Sequence, residues 1–159
     1  MKITLMVVGK IKEKYWKDAI GEYRKRLSKY CKLEIIEVAD EKTPDHASGI
    51  VAEGIRRKEG ERILKHVKDD THLMALAIEG KALSSEAFAA HVEKLGVSGT
   101  SHITFVIGGS IGLSAEVMER ADYALSFSEM TFPHQLMRVL LLEQIYRCYR
   151  IINGEPYHK

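Results

Sequence analysis

Three stretches of this 159-residue chain bring together residue types that do chemistry. The first is "FVIGGSIGLS", residues 105–114, where an apolar run ends in Gly108, Gly109 and Gly112. Glycines admit positive φ and let backbone amides approach a ligand closely, which suits an anionic or hydrogen-bond-accepting group. The second is "LSFSEMTFPHQLMR", residues 125–138. Ser126, Ser128 and Thr131 offer hydrogen bonds there, and Met130 and Phe132 offer apolar walls. A loop of that make-up, facing a glycine turn, suits a purine held by backbone contacts. The third is the terminal "GEPYHK", where Tyr157, His158 and Lys159 supply a phenol, an imidazole and an amine. His158 can exchange a proton near neutral pH. Such a tail either frays or docks into a site, and the residues leave both open.

Two common nucleotide-binding patterns do not fit. A dinucleotide fingerprint needs Gly-x-Gly-x-x-Gly after the first strand and an acidic residue closing the next one. Here the spacing is Gly-Gly-x-x-Gly and the turn follows the fourth apolar run. No Gly-x-x-x-x-Gly-Lys-Ser/Thr run occurs either.

The elements that must position these groups can be read from hydrophobic period. Apolar runs of strand length recur at 3–8, 33–38, 72–78, 102–107 and 123–127. Between them lie stretches of helical period. Trp16, Ile20, Tyr23 and Leu27 share one helix face, and so do Ile55, Ile63, Leu64 and Val67. A third helix has Ser84 or Ser85 as its cap, Phe88, Val92 and Leu95 inward, and Gly96 as its stop. A fourth starts near Ser114. Residues 40–54 read as a mobile loop before the second helix. The third and fourth runs are almost continuously apolar, the mark of a parallel sheet covered on both faces. The fold class is α/β, in one domain spanning 1–159, with ligand expected at the carboxyl ends of the strands.

Pro133 suits the first position of the last helix, "QLMRVLLLEQIYRCYRII". Leu136, Met137, Val139, Leu140, Leu141, Leu142, Ile145, Tyr146, Tyr149 and Ile152 cover most of its circumference. A helix apolar nearly all round is buried on more than one side. The sheet covers one side; a partner subunit, hence a homodimer, is expected on the other. A central helix within one subunit is the alternative. Arg138, Glu143, Arg147 and Arg150 interrupt the apolar surface, and an arginine that deep is paired or awaits an anion.

Charge is uneven. Residues 1–32 carry ten Lys or Arg against three Asp or Glu, while the whole chain nets only +2. A basic segment on an otherwise acidic chain points to a polyanion such as RNA; a solvated lysine-rich helix face is the plainer reading. Cys31 and Cys148 lack metal-ligand spacing, so no metal is expected, and two lone thiols fit a reducing cytosol. No apolar run is long enough to span a membrane.

Taken together, "VGKIKEKYWKDAIGEYRKRL", "FVIGGSIGLS", "LSFSEMTFPHQLMRVLLLEQIYR" and "GEPYHK" resemble the RlmH family of ribosomal RNA large-subunit methyltransferases, within the SPOUT class. Order, spacing and total length all match. The resemblance implies a homodimer with a trefoil-knotted C-terminal half, a parallel-sheet SPOUT-type α/β knot. It implies S-adenosylmethionine as methyl donor and N3 of pseudouridine 1915, in helix 69 of 23S rRNA on the assembled ribosome, as acceptor. Carried over by motif, the cofactor contacts are Leu76, Gly108, Phe127, Ser128, Glu129, Met130, Thr131 and Phe132. Glu129 departs from the lysine that relatives carry there. Arg147 is expected to stabilise an anionic uracil ring, with His158 as base or orienting group and Tyr157 stacking or hydrogen bonding. His134 is a weaker candidate base. The segment 10–32 is the expected rRNA contact, with Lys25, Arg26 and Lys29 on phosphate. Two other functions fit the same chain: a non-enzymatic ribosome assembly factor, or a methyltransferase acting on a tRNA ribose.

Overall fold

The computed structural model describes residues 1–159. Ten elements alternate along the chain: β1 (Lys2–Val8), α1 (Lys14–Leu27), β2 (Lys32–Val38), α2 (Gly49–Leu64), β3 (His72–Ala82), α3 (Ser85–Val97), β4 (His102–Ile107), α4 (Ala115–Arg120), β5 (Tyr123–Ser126) and α5 (His134–Ile152). All five strands run parallel in one sheet, in the order β2-β1-β4-β3-β5.

The two-residue period of a strand explains the unbroken apolar runs. Ile3, Leu5 and Val7 face one side of β1 and join Ile103, Phe105, Met74, Leu141 and Ile145 in the larger core. Met6 and Val8 face the other side, with Leu73, Ala75, Val106 and Ile63. The first face is covered by α1, α3 and α5, the second by α2 and α4. With both faces covered, most central positions hold apolar residues, the buried Thr4 and Thr104 being hydrogen-bonded exceptions, and each fully buried apolar side chain contributes about 1.5–3 kcal/mol. No helix is long and apolar enough to cross a membrane.

Helix starts follow capping chemistry. The hydroxyls of Ser48, Ser84 and Ser114 each accept a hydrogen bond from the amide three residues on. Several boundaries differ from the sequence reading: α2 closes at Leu64, short of Val67, and β3 runs on past residue 78 to Ala82. The loop before α2 ends at Ser48, because the Ser48 cap starts the helix at Gly49. α3 runs past Gly96 to Val97, and the left-handed residue behind it is Gly99, at φ +98°. Pro133 occupies the N-cap of α5, one position before the expected one.

α5 lies against α1 and α3. Its buried residues are Arg138, Leu141, Leu142, Ile145, Tyr146 and Cys148, whereas Leu136, Val139 and Leu140 stay half-buried. Arg138, 2% exposed, is paired through both terminal nitrogens rather than awaiting an anion, while its Nε has no partner. It bonds Glu37 at 3.1 Å and donates to the carbonyls of Val8 and Gly9 at 2.8 and 2.9 Å. It therefore ties α5 to the carboxyl ends of β1 and β2. Both cysteines are free thiols. Burial pushes Cys31 up to about 11 and Cys148 up to about 12, which makes them poor nucleophiles.

Candidate active site

The carboxyl ends of β3, β4 and β5 open into a cavity of about 910 Å³. Each of the three strands feeds one wall. β3 leaves ladder register after Leu76 and re-pairs with β5 at Lys81, so residues 77–80 bulge outward. Leu76 and the bulged Ala77, Ile78 and Glu79 line the cavity. β4 runs into the glycine turn, closed by the Gly112 amide donating to the Gly109 carbonyl at 3.2 Å. A Cβ at Gly108 would lie 2.7 Å from the carbonyl carbon of Gly112, so only glycine allows this close fold-back. After β5, the Ser126 hydroxyl donates to the Ser128 carbonyl and the Met130 amide donates to the Ser128 hydroxyl. These local bonds shape the third wall.

The opening of α5 adds Pro133, His134, Gln135 and Met137, and α2 adds Arg56. Burial, and then the charge of Arg138, hold the His134 imidazole below its ordinary value, which keeps it neutral at physiological pH. Arg56 donates to the Ile111 carbonyl at 3.4 Å.

A second polar centre forms where the chain end folds back on α5. Gly154, at φ +64°, reverses the chain. Arg150 then fastens the turn through Glu155, the Tyr30 hydroxyl and the Pro156 carbonyl. Tyr157 packs edge-on to Tyr146, with ring centroids 5.0 Å apart, and lies under the Arg147 guanidinium. Glu143 is the hub. Its Oε1 accepts from Arg147 Nη2 at 2.8 Å and from the Tyr157 hydroxyl at 2.9 Å. Hydrogen bonding to Glu143 raises the Arg147 guanidinium, so it stays charged. Burial and then Glu143 raise the Tyr157 phenol, so it stays a neutral donor. His158 completes the cluster, 3.2 Å from Arg147 Nη1 and 2.7 Å from Glu86 Oε1. The tail is docked.

A model of the family described as "Predicted SPOUT methyltransferase" matches residues 1–158. The chain belongs to the SPOUT methyltransferases. It is 66% identical to the ribosomal RNA large subunit methyltransferase H of Bifidobacterium adolescentis, over all of both chains. It is 60% identical to a Clostridium perfringens relative named ribosomal RNA large subunit methyltransferase H 1, again over all of both chains. Among solved structures it resembles a probable methylase family protein from Haemophilus influenzae at TM-score 0.57 and 14% identity, covering 99% of this chain and 70% of that one. That likeness concerns fold alone.

In this SPOUT methyltransferase the cavity gathers Leu76, Gly108, Phe127, Ser128, Met130, Thr131 and Phe132. Glu129 is exposed and does not line it. Arg147, Tyr157 and His158 come together with one another but not with the cavity. Met137 and Arg147 are ten residues apart on one helix, about 15 Å of rise. Sequence reading missed Glu143 and Glu86 as partners, and Arg56 and Glu79 as wall residues. The signal for Glu143 was its place four residues before Arg147 on the same helix, the spacing of an ion pair.

Proposed function

We propose that this chain, as a cytoplasmic homodimer, methylates N3 of pseudouridine 1915 in helix 69 of 23S rRNA on the assembled ribosome, with S-adenosylmethionine as donor. The observation that carries this reading is full-length similarity, at 60–66% identity, to relatives named as large-subunit ribosomal RNA methyltransferases. The cavity fits the donor. Twelve of its 23 lining residues are hydrophobic, which suits a purine ring and an aliphatic sulfonium chain. Gly108 lets the turn that forms one wall fold back on Gly112. Leu76, Gly108, Phe127, Ser128, Met130, Thr131 and Phe132 would hold the donor, with Glu129 contributing backbone. Bound there, S-adenosylmethionine supplies a methyl carbon on a sulfonium, which passes to a nitrogen nucleophile while the carbon–sulfur electron pair stays on sulfur.

The remaining chemistry belongs to the tail cluster. Loss of the N3 proton from a uracil-type ring leaves negative charge on the flanking carbonyl oxygens. Arg147 carries a permanent positive charge to stabilise it, and His158 is the base at hand. Holding base, ring and donor in one geometry supplies roughly 7–11 kcal/mol of barrier reduction. Since one chain keeps the cluster about 15 Å along α5 from its own cavity, the tail of each subunit serves the cavity of its partner. The half-buried Leu136, Val139 and Leu140 give α5 an apolar surface for that pairing.

Calorimetry with S-adenosylmethionine, followed by mapping of the methylated nucleotide on ribosomes lacking the modification, tests this reading. Saturable binding and a methyl group at that pseudouridine are expected. Absence of binding, or methylation elsewhere, overturns it.

A further inference from the structure

We propose that Glu86, His158 and Arg147 form a relay that reads the imide edge of a uracil-type base and takes its N3 proton. This rests on the methyltransferase reading above and assigns a positioning residue within it. Arg147 has only donors, so where its Nη1 lies 3.2 Å from His158 Nδ1, the imidazole nitrogen accepts. Glu86 offers acceptors, so His158 Nε2 donates to it at 2.7 Å. The two contacts together select one neutral tautomer, with hydrogen on Nε2 and a lone pair on Nδ1.

The outcome is a donor and an acceptor side by side, Arg147 N–H and His158 Nδ1. A uracil-type imide presents the complementary pair, a carbonyl oxygen beside N3–H. The incoming base therefore exchanges one Arg147–His158 bond for two, the carbonyl accepting from Arg147 and N3–H donating to Nδ1. Cytosine has no hydrogen on N3, so in this register a lone pair would face Nδ1 and there is no N3 proton to take. In the reactive step the N3–H bond breaks, its pair remains on N3, and the proton goes to Nδ1. The resulting imidazolium is held by the Glu86 carboxylate, and Arg147 stays on the carbonyl oxygen carrying negative charge. Solvent then removes the proton. Glu86 thus plays the orienting part that a carboxylate plays behind any catalytic imidazole.

Glu86 opens the exposed first turn of α3, and no core residue depends on it. Nitrogen-15 spectra of the full-length protein labelled at histidine test the relay directly. Wild type is expected to show His158 with Nε2 protonated and Nδ1 bare. In Glu86→Ala that signature averages toward mixed tautomers, and single-turnover methylation slows roughly 10- to 100-fold. Glu86→Gln, whose amide oxygen still accepts from Nε2, keeps the tautomer and recovers part of the rate. Heats of S-adenosylmethionine binding stay the same in both variants. A protonated Nδ1 in wild type, an unchanged tautomer in Glu86→Ala, or an unchanged rate overturns the relay. The nitrogen measurement needs no turnover, so failure of the relay and failure of the enzymatic reading are separately visible.

Discussion

The Glu143 carboxylate accepts the Tyr157 hydroxyl at 2.9 Å, a bond that spans the reversal at Gly154 and pins the chain end to α5. The same oxygen accepts from Arg147, so one side chain orders both the cation and the tail. Glu143→Ala should release residues 157–159, beyond the turn that Arg150 holds, speeding their amide exchange, and should lower single-turnover methylation by roughly 10-fold or more, since a positioned base contributes at least that. Heats of S-adenosylmethionine binding should stay at the wild-type value. A tail that stays protected in this variant would show that the hub does not order it.

The basic segment divides once its partners are known. Lys14 pairs with Asp18, Arg26 pairs with Glu22, and Lys29 lies over the Tyr30 ring. Lys17, Arg24 and Lys25 are exposed, share one face of α1 and make no ion pair. Lys10, Lys12, Lys29 and Lys32 are likewise exposed and outside any ion pair, so the three on α1 are one part of the free positive charge proposed to meet rRNA phosphate. Replacing them with alanine should weaken ribosome binding and flatten its logarithmic salt dependence by about 0.7 per lost phosphate contact. Filter binding across a salt series measures this. An unchanged slope would remove α1 from the RNA contact.

Arg138 is the one cation sealed into the core. Arg138→Met leaves the Val8 and Gly9 carbonyls without a donor, and Glu37 without its cation. The expected loss is about 2–3 kcal/mol in urea unfolding. Glu37 is partly exposed and rehydrates, so adding Glu37→Gln should recover part of that loss. No loss would mean that the bond to the strand ends is dispensable.

Four imidazoles, His72, His91, His102 and His134, are held below their ordinary value, chiefly by burial. The unfolded chain protonates them near pH 6.5, so below that point it binds more protons than the folded chain. Stability is therefore complete above about pH 6.5 and declines as pH falls below it. Glu59, raised chiefly by burial, acts in the opposite sense within the carboxylate range. Urea midpoints should drop between about pH 7.5 and pH 5.5, and His72→Gln with His91→Gln should shrink that drop. A flat profile would contradict the burial argument.

Five strands and their parallel pairing were legible because burial on both faces forces apolar residues at most central positions. The Ser84 and Ser114 caps were legible because a hydroxyl at a helix start has one local job. The β3 bulge was not, since a pairing with β5, more than forty residues on, decides where the ladder breaks. The reach of α3 past Gly96 was not, because two glycines compete and Gly99 is the one that turns left-handed. Local pattern also gave Arg138 and Arg147 the same description. Only folding separates them, putting one on two carbonyls at the end of β1 and the other beside the tail.

We propose that each cavity is served by the tail of the other subunit. Differently tagged Gly108→Ala and His158→Ala chains, co-expressed and purified through both tags, test it most directly. Shared sites leave one intact cavity and one intact tail acting together, so the mixed dimer should methylate at about half the wild-type rate per dimer. Each parental homodimer should be nearly inactive. A mixed dimer as inactive as its parents would contradict the claim, because cavity and tail would then have to lie in the same chain.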